Sequence, residues 1–275
     1  MRERIEYKSL EQIRAMRRAG LVVADIHDAL RAAAAPGVRT ADLDDLARQV
    51  LERAGARSNF LGYHGYPAHV CISVNEEVVH GIPGDRVLAE GDVVSFDCGA
   101  VVDGWHGDAA FTMVLGQGDP ADHALNEVTR TAMWDAIAAL AHGRHLGVVG
   151  EAVEDAVARH VASGNPPVAV IEDYVGHGIG SAMHQPPDVP NYRTGRRGPR
   201  LRPGMCLAVE PMLTRGGLET TVLADDWTVV TTDASRAAHW EHTVAITDTG
   251  ICVLTSRDGG TQELETRNVA VVSLS

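Results

Sequence analysis

The chain is poor in cysteine and has no long apolar run. Its four cysteines are far apart and form no CxxC pair, which excludes a disulfide framework and a zinc knuckle and predicts reduced, buried thiols. No stretch approaches the roughly 20 uninterrupted apolar residues of a membrane span. The first residues, MRERIEYKSLEQ, lack the apolar core of a signal peptide. We therefore expect a cytoplasmic protein with no membrane partner.

Basic residues are outnumbered by acidic ones. Lys plus Arg number 24 against 37 Asp plus Glu, and the formal net charge is −13. Such a surface repels phosphate backbones, which excludes specific nucleic-acid binding as the primary function. The hydrophobic fraction of 45% is that of a folded globular chain, and the length of 275 residues allows one large domain or two small ones.

The order of predicted elements is helix, helix, then strands, and it occurs twice. A capping box at residues 9–12 starts the first helix, which ends at Pro36, and the other helices are predicted at 40–55, 120–142 and 148–162. Strand-like runs are predicted at 69–74, 92–100, 105–115, 168–175, 205–213, 227–231, 239–247 and 251–255, with a loop at 75–84.

This order predicts an α+β fold made of two duplicated halves that share one sheet. We expect a single domain over residues 1–275, with a C-terminal tail at 256–275 that is mobile from residue 263.

A short hairpin brings two carboxylates together. The Asp-Gly pair at 103–104 is a strong signal for a two-residue turn. With that turn, Asp97 lies opposite Ala110 and Asp108 lies opposite Gly99, so the aspartates are diagonal neighbours on one face. Two carboxylates this close in an apolar hairpin repel each other unless one is protonated or a cation lies between them. The pattern therefore favours a metal site, provided that further ligands exist.

Three more residues could complete such a site. His177 lies among glycines, which let the backbone approach an ion closely. Glu210 and Glu241 each interrupt an apolar run, where an unpaired carboxylate is costly, and Pro211 indicates a strand edge or bulge. A single buried glutamate is more often salt-bridged than ligating, but no cation is evident near these residues in the sequence.

The charge of this set indicates two metal ions. Four carboxylates and one neutral imidazole carry a formal charge of −4, which two divalent ions would neutralise. A set rich in oxygen and free of thiolate suits Mn²⁺, Fe²⁺ or Co²⁺ better than a structural zinc site. Dinuclear centres of this kind commonly activate water for hydrolysis.

Five separated segments resemble those of type I methionine aminopeptidases, in that family's order. They are YHGYPAHVCISVNEEVVHGIP, SFDCGAVVDGWHGDAAFT, YVGHGIGSAMHQPPDVPNY, LAVEPML and HWEHT, and the likeness covers about residues 7–255. It implies the pseudo-twofold pita-bread fold around a curved antiparallel sheet, which agrees with the duplication. It also implies removal of the N-terminal methionine from nascent or newly made proteins when the second residue is small.

The resemblance assigns the metal ligands position by position. Asp97 would chelate one ion, and Asp108 and Glu241 would bridge both ions. His177 and Glu210 would bind the other ion.

The resemblance also implies the groups that act on the substrate. His80 would lie near the scissile amide, His184 would bind the carbonyl oxygen, and Glu210 would shuttle the proton. A methionine pocket would be formed by Phe60, Tyr63, Tyr66, Cys71, Met183 and Trp227. Many relatives have Phe where this chain has Met183, and a small residue or Cys is more usual than the bulky Phe60.

Two alternatives stay open from the sequence alone. A prolidase or X-Pro aminopeptidase would share the fold, but we expect it to carry a large extra N-terminal domain and different residues after the first histidine of the signature. A metal-free pita-bread protein that acts as a binding module would have lost ligands, whereas all five positions are filled here.

Arginines are concentrated in one segment of this acidic chain. Residues 193–202 include Arg193, Arg196, Arg197, Arg200 and Arg202. The segment follows His184, so we expect it to border the cleft, and the family's substrates emerge from ribosomes, whose surface is largely phosphate. We therefore predict a transient ribosome contact through these arginines. We also expect the protein to be a monomer.

Overall fold

The computed structural model describes residues 4–274. Within that range it contains the α-helices α1 (Leu10–Ala33), α2 (Thr40–Arg53), α3 (Pro120–His142), α4 (Val148–Ala162) and α5 (Thr261–Glu265). The capping box is confirmed, because Ser9 Oγ accepts the backbone N–H of Gln12 at 3.2 Å and Gln12 Oε1 accepts that of Ser9 at 2.8 Å. In this range no helix has both the length and the apolar character to cross a bilayer.

The strands follow each pair of long helices, so the predicted repeat of element order is confirmed. The first half contains β1 (Arg57–Ser58), β2 (Val70–Val74), β3 (Glu77–Val79), β4 (Val93–Val102) and β5 (Trp105–Val114). The second half contains β6 (Ala169–Val170), β7 (Gly176–Gly178), β8 (Gln185–Val189), β9 (Cys206–Val209), β10 (Met212–Thr214), β11 (Thr220–Val222), β12 (Val229–Thr231), β13 (Ala237–His239), β14 (His242–Thr247) and β15 (Gly250–Val253).

The strands form four antiparallel groups within the predicted α+β architecture. The larger groups are β1-β4-β2 with β5 paired to β4, and β15-β14-β9-β7-β8; the smaller ones are β13-β10-β6 and β11-β12-β3. Pro211 separates β9 from β10 because it has no N–H to donate. Two backbone hydrogen bonds between Ala110 and Glu241, of 2.9 and 3.2 Å, nevertheless join the two larger groups.

Helix α1 packs directly on the hairpin β4–β5. A Cβ atom at Gly107 would lie 2.7 Å from the backbone nitrogen of Gly20, so the two backbones can touch only because glycine is present. Phe96 and Phe111 stack across the hairpin with ring centroids 5.0 Å apart and are fully buried. The hairpin is thereby fixed on one face by the core.

Two local predictions were wrong. The predicted strand 168–175 is limited to β6, because the chain turns outward at the exposed, charged Glu172 and Asp173. The predicted loop 75–84 contains β3, whose Glu77 and Val79 pair with β12. That partner is distant in sequence, and a local pattern does not reveal it.

The C-terminal segment packs on the core, which contradicts its predicted mobility. Leu264 in α5 and Val269 are buried. Arg267 forms ion pairs with Asp135 of α3 at 2.7 Å and with Glu263 at 2.9 Å. The segment therefore packs against the middle of α3.

Candidate metal centre

The hairpin places Asp97 and Asp108 as its turn predicts. Asp97 pairs with Ala110 and Asp108 pairs with Gly99, so the two carboxylates lie on the same face. Thr243 anchors Asp108, since its Oγ1 donates to the Asp108 carbonyl at 2.7 Å and accepts the Asp108 N–H at 3.1 Å. In residues 4–274, neither Asp97 Oδ1 nor Asp108 Oδ1, both buried, has a hydrogen-bond partner.

The other two carboxylates belong to residues in short connections between strands. Glu210 lies between β9 and β10, and Glu241 lies between β13 and β14. Glu241 precedes β14 and is bonded through its backbone to Ala110 of the hairpin. Its Oε1 is buried and unpartnered within the described chain. Glu210 lies between β9 and β10, where its carbonyl accepts a hydrogen bond from Asn191 Nδ2 at 3.1 Å.

His177 supplies a nitrogen lone pair to this cluster. Its Nδ1–H donates to the Gly178 carbonyl at 3.0 Å, so a neutral ring has its lone pair on Nε2. That atom lies 3.4 Å from Glu210 Oε1. Donor atoms of Asp108, His177 and Glu241 lie within 4.8 Å of one another, which is the spacing of ligands around a shared ion.

Burial gives these groups unusual titration behaviour. It raises the pKa of Asp97 to about 7. Burial together with the neighbouring carboxylates raises the pKa values of Asp108, Glu210 and Glu241 well above their ordinary range. Burial, aided by His184, lowers the pKa of His177 to about 3. The carboxylates therefore resist ionisation unless positive charge is near, whereas the imidazole is already neutral and can ligate.

These observations fit a divalent metal centre. Buried carboxylate oxygens without partners, next to an imidazole lone pair, are satisfied together by a cation and by little else. The donor set of oxygens with a single histidine suits Mn²⁺, Fe²⁺ or Co²⁺. The five predicted ligand residues are thus brought together.

His239 is a site residue that the sequence analysis missed. Its buried side chain forms a second group of donor atoms within 4.8 Å with Glu210 and Glu241. Burial, aided by His80, lowers the pKa of His239 to about 3. The available signal was its position two residues before Glu241, since alternate residues of an extended chain share a face.

His80 and His184 both border the cluster of candidate metal ligands. The His184 ring meets the His177 ring edge to face at 4.3 Å, and its Nδ1 lies 2.7 Å from Tyr63 Oη. His80 adopts a left-handed backbone with φ of 61° and lies edge to face against Trp227 at 6.1 Å. Burial and His184 lower the pKa of His80 to about 4, so the ring is neutral near pH 7.

One cavity of about 280 Å³ contains both the cluster of candidate metal ligands and an apolar pocket. All of the predicted substrate-binding residues line it: Phe60, Tyr63, Tyr66, Cys71, His80, Met183, His184 and Trp227. His64, which the sequence analysis did not single out, lines it as well. Tyr66 shapes the wall, since its ring meets Trp227 edge to face at 5.1 Å and its Oη donates to the Gly81 carbonyl at 2.9 Å.

Comparison with known proteins agrees with this geometry. The model of metallopeptidase family M24 matches residues 14–248. Methionine aminopeptidase 1 of Mycobacterium tuberculosis is 50% identical over 252 residues, covering 91% of this chain and 95% of the relative. The chain belongs to the methionine aminopeptidases of metallopeptidase family M24. Membership of this family makes it a metallo-hydrolase that depends on divalent metal, which confirms the resemblance found in the sequence.

Solved structures confirm the fold. The methionine aminopeptidase of Thermotoga maritima is 41% identical with a TM-score of 0.87, over 92% of this chain and all of that one. The prolidase of Pyrococcus furiosus is 19% identical with a TM-score of 0.70, over 91% of this chain and 65% of that one. The chain therefore has the pita-bread fold. The prolidase likeness extends to the fold alone, so it does not support the prolidase alternative.

The arginine segment lies away from this cavity, which corrects the expectation that it borders the cleft. Among the described residues, none of its arginines lines the cavity. The backbone of Arg200 forms an isolated antiparallel β-bridge with His145, at the connection between α3 and α4. Arg193 forms ion pairs of 2.5 Å with Glu154 and Asp155 of α4. The segment follows His184 in sequence but turns to the helical face.

Proposed function

We propose that this chain removes the N-terminal methionine from nascent or newly made proteins when the second residue is small. The observation that carries the proposal is the cavity in which the carboxylate cluster opens into an apolar pocket. Such a pocket suits an unbranched thioether side chain, and the cluster lies where the first peptide bond would be held.

Two divalent ions are proposed as cofactors, with Co²⁺, Mn²⁺ and Fe²⁺ as candidates. Asp97 would chelate one ion, His177 and Glu210 the other, while Asp108 and Glu241 would bridge the pair. The −4 formal charge of these residues and their unpartnered oxygens support this number. The ions would supply Lewis acidity, which makes water a stronger nucleophile and stabilises charge on the carbonyl oxygen.

The remaining chemistry belongs to side chains. Glu210 would carry the proton from the attacking water to the leaving amine, because its carboxyl lies in the cavity beside the candidate ligands His177 and Glu241. Tyr63 Oη lies 2.7 Å from His184 Nδ1. With the phenol as donor in this hydrogen bond, the ring proton lies on Nε2, from which His184 would donate to the carbonyl oxygen. His80 would contact the scissile amide from the opposite wall.

The setting of the enzyme is also a proposal. The four cysteines are buried and unpaired in the described chain, as expected for a reducing cytoplasm. A monomer is proposed as its state, and the packed C-terminal segment supports one domain over residues 1–275. The exposed Arg196, Arg197 and Arg200 support a transient ribosome contact through charge.

A peptide assay with metal analysis tests the proposal. The purified enzyme should contain divalent metal and release methionine from Met-Ala-Ser, and it should release nothing from Ala-Pro peptides. Release of alanine from Ala-Pro peptides, or the absence of methionine release at full metal loading, would contradict it.

A further inference from the structure

His239 is a buried histidine to which the proposed reaction gives no task. It ends β13, its residue is 2% exposed, and its Nε2 has no hydrogen-bond partner among residues 4–274. This atom faces Glu210 Oε2 at 3.7 Å. A buried polar nitrogen without a partner is costly, so its position beside a carboxylate requires an explanation.

The backbone of His239 is tightly held. Its N–H donates to Thr112 Oγ1 at 3.0 Å and lies 3.3 Å from Ser95 Oγ. Its carbonyl accepts from Thr112 Oγ1 at 2.8 Å, and it pairs with Met212 of β10. The backbone of His239 is therefore fixed. The distance from its ring to the Glu210 carboxylate changes by rotation of the two side chains.

The Glu210 carboxylate lies between two imidazoles of different character. Its Oε1 faces His177 Nε2 at 3.4 Å, and that nitrogen bears a lone pair because His177 Nδ1–H donates to Gly178. Two lone pairs at this distance repel each other unless a proton or a cation lies between them, and the other candidate ligands lie on this side, so we assign Oε1 to the metal side. Oε2 faces His239 Nε2, which can carry the ring proton and donate it.

We propose that His239 is a positioning residue that orients the Glu210 carboxylate through an Nε2–H to Oε2 hydrogen bond. The separation of 3.7 Å exceeds a hydrogen bond, but a small rotation of either side chain shortens it to about 2.7–3.2 Å. The bond would keep Oε1 directed at the metal and hold Oε2 in one direction. This inference rests on the proposed role of Glu210 as a metal ligand.

Titration of the metal-free protein with Mn²⁺ alone tests the inference. Two apolar variants, His239→Leu and His239→Phe, remove the donor, whereas His239→Gln keeps an N–H donor of similar reach. The apolar variants should weaken Mn²⁺ binding by about 10–100-fold, as loss of an outer hydrogen bond to a ligand commonly does. His239→Gln should restore most of the affinity. Thermal midpoints of all variants identify any that fail to fold.

A double-mutant cycle separates this inference from the assignment of Glu210. In a Glu210→Gln background, His239→Leu should cause no further loss of Mn²⁺ affinity, because its effect passes through Glu210. Wild-type affinity in both folded apolar variants would overturn the inference. So would losses that add to those of Glu210→Gln and that His239→Gln does not restore, since His239 would then be a ligand itself. Wild-type affinity of the single Glu210→Gln variant would instead overturn the ligand assignment on which the inference depends.

Discussion

Tyr63 Oη lies 2.7 Å from His184 Nδ1, so one wall of the apolar pocket is bonded to the histidine that faces the metal cluster. A phenol that donates to Nδ1 fixes the tautomer with the proton on Nε2. Binding of the substrate side chain in the pocket and the orientation of the His184 ring are therefore coupled through one hydrogen bond.

Replacement of Tyr63 by Phe tests this coupling. The Tyr63→Phe variant keeps the ring but loses the donor, so kcat for Met-Ala-Ser should fall about 10-fold or more. The matched control is Tyr66→Phe in the same pocket, where the lost bonds go to the carbonyls of Val70 and Gly81. That control should lose about 1 kcal/mol of stability and less activity. Equal kcat in wild type and Tyr63→Phe would contradict the coupling.

Neutralising a ligand should separate stability from activity. Asp97→Asn and Glu241→Gln should each abolish turnover, because the cation loses a ligand. Each should also raise the thermal midpoint of the metal-free protein, because a buried group that is costly to ionise is replaced by one that stays neutral. Saturating metal at about 100 times Kd stabilises wild type by about 2.7 kcal/mol, and neither variant should gain as much.

The control for these variants is Asp103→Asn, because Asp103 is an exposed turn residue of the same hairpin. A ligand variant with the activity and metal stabilisation of this control would refute the dinuclear site.

Metal affinity should rise with pH. The pKa of Asp97 is raised to about 7, and those of Asp108 and Glu241 are raised well above the ordinary range. In the metal-free fold these carboxyls therefore keep their protons to higher pH, and metal must displace them. Mn²⁺ binding should tighten between about pH 6 and pH 8 and release protons. Calorimetric titration in two buffers of different ionisation heat measures the Mn²⁺ affinity and the number of protons released. An affinity independent of pH would contradict the raised pKa values.

The pocket predicts a ranking of N-terminal residues. An apolar pocket distinguishes side chains that differ by one group by only about 1–3 kcal/mol, so norleucine should be accepted with reduced efficiency. Lysine and glutamate should be rejected, because their charge would be buried without a partner. Values of kcat/KM for a series X-Ala-Ser establish the ranking, and efficient cleavage of Lys-Ala-Ser would be the contrary result.

The arginine segment should affect ribosome binding and not peptide turnover. A variant with Arg196, Arg197 and Arg200 changed to Ser should cosediment less with ribosomes at low salt, and the attraction in wild type should weaken as salt rises. The control changes Arg14, Arg53 and Arg57 to Ser, which are exposed and alter the net charge equally. Equal binding of the two variants would refute a specific contact. Met-Ala-Ser turnover should remain unchanged in both.

The sequence was sufficient where local geometry determines position. A two-residue turn fixes the register of a hairpin, so the placement of Asp97 beside Asp108 followed from the turn alone. The candidate ligands His177, Glu210 and Glu241 stood out because polar residues interrupted apolar or glycine-rich runs. Each of them lines the cavity.

Contacts between distant segments were not predictable in this way. His239 reaches Glu210 only because β13 pairs with β10, and no local pattern specifies that pairing. The same reason explains β3, which is ordered by β12, and the segment around Leu264, which is ordered by contacts with α3. The arginine segment follows His184 by only a few residues, yet its ion pairs with α4 direct it elsewhere.

Cys71 and Asp97 lie directly opposite each other on β2 and β4, so a residue that lines the apolar pocket and a candidate metal ligand are paired in the same sheet. A larger side chain at position 71 would displace the strand that carries Asp97, and substrate range would change only together with catalytic power. Phe60 and Met183 lie on loops outside these strands and carry no such penalty. New substrate specificities in this scaffold should therefore evolve through those two positions, while the pair of Cys71 and Asp97 stays constant.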